Sequence, residues 1–432
     1  MTRKTRYRYA GVAVLAAVST LAAAACSSSS SAGAPPASAS AASTASSGSA
    51  ATSTSSGAAS ASKSPVIFAA MGPNSGSEYN PGPQSTKNQY EALAAAWNSV
   101  GGIDGHPIQL NFYDTESSAA VAVQIVPKVE ASGAKAFFSC CFAAESEAAD
   151  AKTSTEGPIT FNADPNIAMP SGSYLFDATM PATEGLAATE KFIGLKGWKK
   201  VALLTDTTPG EDTARDSLTG AAAADGYSVT TDQIFDVSAT SLATQISQIA
   251  ATKPDAIVLW SVGPQIATAF SAIAASSLAG TPVLLADGDL NLAILKKTAS
   301  TLPANTYAPG AYYLVAQSGG VPSDEAAVLA YFLKAQGFTG STNDNVASYI
   351  VDSFNVAVAA IQHLGVNATN QQILNYVQTL SGFQGINGVY HFSPSNHTGL
   401  SGLTMGMVKI APSTLDLTPV ANAGVTKLLS SS

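Results

Sequence analysis

Apolar and polar positions take on an ordered pattern at Pro65 and keep it to about residue 410. The run PVIFAAMG is continuously apolar and breaks at GPNSG, as a strand buried on both faces does when it enters a loop. The spacing predicts a helix over 84–100, where Tyr90, Leu93, Ala94 and Trp97 recur at three- and four-residue steps. Gly101 and Gly102 end it, because glycine accepts the left-handed backbone of a C-terminal cap without steric cost. Asp104-Gly105 is a tight-turn pair, and Pro107 keeps His106 extended. Ile108, Leu110 and Phe112 then alternate with Gln109, Asn111 and Tyr113 up to Asp114. Strand, helix, double-glycine turn and strand make a βαβ unit.

The same alternation continues. Strands are expected at 66–70, 108–113, 134–138 and 158–161, and again at 200–205, 228–235, 256–260, 282–286 and 306–314. Helices are expected between them at 119–131, 146–155, 184–195, 212–225, 241–251 and 264–278. The clearest helix is VASYIVDSFNVAVAAIQHLG, with Ile350, Phe354, Val358 and Ile361 on one face and Gly365 at its end. Two sets of βα units imply an α/β protein whose parallel sheets are flanked by helices.

Composition narrows the picture. Only 11% of residues are charged, so packing rather than surface ion pairs holds the helices. The first 26 residues have a basic start, Arg3 to Arg8, an apolar stretch over 10–25 and then Ala-Ala-Ala-Cys26, which is the layout of a secretory signal. Cys26 after small residues resembles a bacterial lipoprotein cleavage site, although Ala23 stands where a larger aliphatic residue is usual. An incidental cysteine in an ordinary signal is the alternative. Removal of this leader takes four of the 20 basic residues, leaving 16 against 29 acidic ones, a net charge near −13. Such a surface argues against nucleic acid or anionic lipid as partners, since phosphate recognition needs clustered Lys and Arg. Residues 27–64 are nearly all Ser, Ala, Gly, Thr and Pro, a tether with too little apolar surface to offset its ordering entropy.

The segment WNSVGGIDGHPIQLNFYD resembles the hallmark of the periplasmic-binding-protein-like type I solute receptors. Among these it is similar to the branched-chain amino acid/amide receptors of ABC importers, the leucine-binding-protein-like domains. The resemblance implies two lobes, each a parallel sheet flanked by helices, joined by a three-strand hinge. It places 65–181 with 316–391 in an N-terminal lobe, 182–315 with 392–418 in a C-terminal lobe, and 419–432 in a tail. It also implies that the ligand lies between the lobes. An amino-acid carboxylate would meet the loops after strands three and four: Cys141, Phe142 and Ala143, then Asn162, Ala163 and Asp164. Asp287 matches the acidic residue that takes the ammonium, and Tyr79 the tyrosine that covers the ligand. This chain departs from the pattern at Phe142 and Ala143, at Asn162 to Asp164, and at Thr208-Pro209, so a plain α-amino acid is not implied.

The residues by themselves point to the same places, because ligands of open parallel sheets sit beyond the carboxyl ends of the strands. The loops there hold Ser75, Ser77 and Tyr79, then the SCCFAAES and NADPN segments, then Pro209, Val262 and Asp287. Each has a plainer reading: Tyr79 resting on the first helix, Asp287 capping the next one, Phe142 and Trp260 in the core. Cys140-Cys141 is either a strained vicinal disulfide or, as favoured here, two thiols facing opposite sides of a strand end. His106, His363, His391 and His397 form no metal-ligand spacing, and no GxSxG, HExxH, P-loop or Rossmann fingerprint occurs. The expectation is a monomeric, cofactor-free, non-enzymatic receptor outside the cytoplasm, anchored by a lipidated Cys26 or secreted. It would clamp an amino acid, amide or carboxylic-acid-like solute and pass it to an ABC permease and its ATPase. A ligand-sensing subunit for a signalling protein, or an exported enzyme, are the alternatives.

Overall fold

The structure is a computed structural model that describes residues 63–79, 81–139, 143–163, 169–315, 323–338, 344–400, 402 and 404–429. Its first sheet alternates with helices in the order β1 (Val66–Gly72), α1 (Thr86–Ser99), β2 (Ile108–Asp114), α2 (Ala119–Ser132), β3 (Ala136–Ser139), α3 (Ala143–Glu156), β4 (Ile159–Asn162) and β5 (Leu175–Phe176). The strands lie side by side as β2-β1-β3-β4-β5, all parallel. Central β1 is buried along almost its whole length, as its unbroken apolar run requires, whereas edge strand β2 buries only Ile108. Ser85 starts α1 by accepting a hydrogen bond from the Asn88 amide. At the other end Gly102 has φ +69, and a Cβ there would lie 2.2 Å from the His106 carbonyl oxygen. Asp104 and Gly105 both have positive φ, and Ile103 and His106 exchange two 2.9 Å backbone hydrogen bonds around them. This is the mirror-image turn that an Asp-Gly pair favours.

The second sheet begins after α4 (Ala182–Lys196) and continues through β6 (Lys200–Asp206), α5 (Pro209–Ala221), β7 (Ser228–Phe235), α6 (Ala243–Thr252), β8 (Ala256–Trp260), α7 (Ile266–Ala274), β9 (Val283–Leu285), α8 (Leu292–Thr298), β10 (Thr306–Gly310) and the one-turn α9 (Tyr312–Val315). The strand expected over 306–314 therefore stops at Gly310. The backbone turns there because the Ala311 amide bonds to the Asn345 side chain at 2.9 Å instead of to a neighbouring strand. Two late strands, β13 (Gly406–Ile410) and β14 (Leu417–Ala421), join antiparallel to give the order β14-β13-β10-β9-β8-β6-β7. Between α9 and β13 the chain supplies α10 (Ser323–Ala335), α11 (Val346–Leu364), α12 (Asn370–Val377) and the hairpin β11 (Ser381–Gln384) with β12 (Val389–His391). Helices α10 and α11 pack on α1, and α12 packs on β4. Among the described residues no helix is long and apolar enough to cross a membrane.

Helix α11 is the axle of the assembly. Ile350, Phe354, Val358 and Ile361 are buried, and the Phe354 ring lies 5.1 Å from that of Phe68 and 5.2 Å from that of Phe138. Its polar side chains are used too. Trp97 donates its indole N–H to Asn355 at 3.0 Å. Asp352 accepts from the amides of Ile386 and Asn387 at 2.8 and 2.9 Å, with the Tyr390 hydroxyl 2.8 Å away. That hydroxyl also lies 2.7 Å from the Ala178 carbonyl, in the segment leading from β5 to α4. Asp352 thus ties α11 to the β11–β12 turn beside the strand that leaves the first sheet. Removal of its carboxylate strands two buried amide donors, while the Tyr390 hydroxyl keeps the Ala178 carbonyl as an acceptor. Asp352→Ala is expected to cost about 3 kcal/mol of stability, measured as a lower urea midpoint.

Candidate functional site

The strand tips of the first sheet are organised by two acids. Asp114 ends β2 and accepts from the amides of Asn74 and Glu116 at 2.8 and 2.9 Å and from the Ser75 hydroxyl at 2.8 Å. Burial alone raises its pKa, but these donors together outweigh burial and hold the carboxyl below its ordinary value. Ser75 is therefore engaged in shaping the loop after β1. Ser117 completes that loop by bonding the Ser75 carbonyl and the Glu78 amide, each at 3.0 Å. Tyr79 follows with 36% of its surface exposed. The second acid, Asp150 on α3, accepts from Ser139 at the end of β3 (2.8 Å) and from Asn162 at the end of β4 (2.5 Å). Burial pushes Asp150 up to about 6 against both bonds. Asn162 is thus part of a buried clasp joining three elements, and Ala163 beside it is buried. Ala143 opens α3, while Cys140, Cys141, Phe142 and Asp164 lie outside the described residues.

The tips of the second sheet gather a different set. Asp206, at the end of β6, accepts from the Thr208 amide and hydroxyl at 2.8 and 2.5 Å, from Ser261 at 2.6 Å and from Gln265 at 3.2 Å. Burial opposes ionisation, yet the four donors carry its pKa below the ordinary value, so Asp206 is a fixed negative charge. Pro209 follows at the first position of α5, where a missing N–H costs nothing. Glu211, in the same first turn, is buried, with Oε2 lacking any partner. After β9 a short 3-10 turn, Asp287–Asp289, presents two more acids. Asp289 accepts from the Gly263 amide at 3.0 Å through Oδ1, whereas its buried Oδ2 has no partner. Val262 is exposed at the rim and meets Gly288, where an added Cβ would lie 3.0 Å from its Cγ1.

Asp287 does not cap the following helix. Asn291 does so, accepting from the amides of Ala293 and Ile294 at 2.9 and 3.3 Å. The Asp287 carboxylate instead faces Gly185 on α4, where a Cβ would come within 2.9 Å of Oδ1, and it takes a hydrogen bond from Tyr349 on α11. Asn345, at the start of α11, donates to the Asp287 carbonyl at 2.9 Å. Asp344 beside it accepts from Gln84 in the loop before α1 and from the Leu292 amide on α8, so it bridges the two sheets' territories. Trp260 is core: it is buried with Val258, Leu284 and Ala286 in the second sheet's packing.

These acids perturb one another. Burial pushes Glu211 up to about 8, with the charges of Asp206 and Asp287 adding to the effect. Burial raises Asp287 to about 6 although Tyr349 and nearby amides oppose it. Asp289 is held well above the ordinary carboxylate range by burial, the Gly263 amide opposing and the charges of Glu211, Asp287 and Asp206 reinforcing. Asp206, Glu211 and Asp289 were not singled out in the sequence, where an acid at a strand end or in a first helical turn looks like ordinary capping chemistry. The sign of the pH dependence follows. Folded Glu211 keeps its proton up to about pH 8, whereas the unfolded chain releases it near 4.5, so stability is full below 4.5 and declines as pH rises to about 8. The Glu211→Gln variant is expected to lose less melting temperature than the parent over that window, read from thermal melts across pH 5 to 8.5.

Residues 65–413 match the periplasmic binding protein family. No curated protein matches the sequence significantly. Several solved structures share the fold. An extracellular ligand-binding receptor from Rhodopseudomonas palustris HaA2 aligns with a TM-score of 0.64 at 17% identity, covering 83% of this chain and 100% of that one. The branched-chain amino acid transporter substrate binding protein LivJ from Streptococcus pneumoniae, in complex with isoleucine, aligns with a TM-score of 0.64 at 17% identity over 82% of this chain and 99% of its own. An ABC transporter solute binding protein from R. palustris in complex with benzoate aligns with a TM-score of 0.63 at 16% identity over 85% and 98%. The matched span takes in the first sheet, all of the second but β14, and the helices between them, and this chain belongs to the periplasmic binding protein family, with its type I two-lobed fold.

Proposed function

We propose that this chain captures a small organic solute between the strand tips of its two sheets and delivers it to an ABC permease. The coarser part follows from the family: a solute-binding receptor of a non-enzymatic class, acting outside the cytoplasm. The solute is an amino acid, an amide or a small carboxylic acid, in line with the isoleucine and benzoate held by proteins of similar fold. One observation carries the reading. Asp287 sits at the carboxyl end of the second sheet with Val262 and the start of α5 around it, while the loop bearing Tyr79 crowns the first sheet. This placement of both loops at strand ends supports a ligand shared by the two lobes.

In this reading 65–181 with 316–391 and 182–315 with 392–418 move as two bodies. Closure follows because the solute touches both only when they are together, so binding shifts the hinge equilibrium. Cys26 carries a lipid, and 27–64 is the tether above the membrane. Cys141, Phe142, Ala143 and Asp164 are the further residues proposed to contact the solute. Native mass spectrometry followed by a thermal-shift panel tests the proposal, since saturation at ~100 times Kd adds about 2.7 kcal/mol. Tyr79→Ala and Asp287→Ala are each expected to weaken the solute about tenfold. Parent affinity in both variants removes these residues from the site.

A further inference from the structure

Asp206, Glu211, Asp287 and Asp289 come from three separate elements and converge under the Val262 loop, each less than a tenth exposed. Their mutual charges are among the causes that displace their protons, which sets them as neighbours. Among the described residues none of the four makes an ion pair. Arg215 on α5 is turned away, to Asp212 at 2.8 Å and Asp232 at 3.3 Å. Two oxygens, Glu211 Oε2 and Asp289 Oδ2, are buried with no donor of any kind. Each carboxyl has one backbone amide as a donor, Val262 for Glu211 and Gly263 for Asp289, so the second oxygen of each is what the nest leaves for an incoming donor once the carboxyl gives up its proton. The first-lobe tips are acidic as well: buried Glu145 lies close enough to Glu78 and Asp114 for both to raise its pKa further.

Resting on the receptor reading above, we propose that this nest seats a cationic nitrogen group, so that the receptor selects net-cationic solutes, of the guanidinium or diamine class, over neutral amino acids and organic anions. A metal ion is not what the acids frame, because no three acidic, histidine or cysteine side chains among the described residues are grouped to ligate one. A guanidinium carries five donors and no acceptor, and an ammonium three, which suits orphan oxygens on separate elements. A zwitterion bound by one acid leaves the remaining charge uncompensated. Entry of a cation also displaces the proton that Glu211 holds at neutral pH. The groups facing Glu211 are the charges of Asp206 from β6 and of Asp287 and Asp289 from the 3-10 turn, with the Val262 amide as its donor; Tyr349 from α11 faces Asp287 and Asp289, and Ser261 and Gln265 donate to Asp206.

Titration calorimetry of the full chain with agmatine, putrescine, leucine and benzoate tests this, at pH 6, 7 and 8 and in two buffers of different ionisation enthalpy. The cations are expected to bind at least about tenfold tighter than the other two. Protons should be released, and cation affinity should fall by up to about tenfold per pH unit below 8. Glu211→Gln and Asp289→Asn should each weaken cations about tenfold or more without lowering the melting temperature, while Asp212→Asn on the outer face of α5 keeps parent affinity. Binding of leucine or benzoate without the cations overturns the inference and leaves the receptor intact. Cation affinity unchanged in both nest variants, or weakened equally by Asp212→Asn, overturns it too. If no solute of any class binds, the receptor reading falls with it.

Discussion

Asp352 sits in a fully enclosed pocket on α11 and meets backbone amides and a phenol, not a cation. The molecule depends throughout on this kind of joint. A chain with 11% charged residues has few cations to spend inside. It uses carboxylates, buried at Asp150, Asp206 and Asp344 and partly exposed at Asp114, as multi-valent acceptors for neutral donors where loops must be held at strand ends. Asp114 gathers the loop after β1, Asp150 clasps β3 to β4, Asp206 folds the entry to α5, and Asp344 reaches from Gln84 to α8. Hydrogen bonds to an ionised acceptor are stronger than neutral pairs, and several converging on one carboxylate set loop direction as well as energy.

The same device makes the second-sheet nest unusual within its own protein. Asp206 is fully supplied with donors and stays charged, and its charge adds to the burial that already keeps its neighbours from ionising easily. Glu211 and Asp289 therefore hold protons at a pH where surface acids would not. The arrangement stores an electrostatic cost in the unliganded protein. In the proposed reading, a cation seated beside these acids gains affinity from relief of that cost as well as from its own contacts.

Much of the architecture was legible in the sequence because apolar periodicity reports directly on burial. The β1 run, the α1 face and the Gly101–Gly102 and Asp104–Gly105 turns all follow from side-chain size and backbone freedom. Short strands outside the βα alternation carried too little pattern of their own to be seen. β5, the β11–β12 hairpin and the antiparallel pair β13–β14 went unread for that reason. The strand expected through 314 was cut short by Asn345, thirty-four residues further on, which no local window can sense.

The candidate site divides along the same line. Local chemistry marked Asp287 and the loops around it, since an acid after an apolar strand end is visible to inspection. It could not tell that Asn291 does the capping, that Asn162 is committed to Asp150, or that Ser75 is committed to Asp114. Periodicity, glycine placement and the βα alternation determined the parallel part of each sheet with its loops at one end, but not the antiparallel β13 and β14. Which carboxylates came to share a low-dielectric space was decided only by tertiary packing, because charge interaction depends on distance and burial, and neither is a property of sequence spacing.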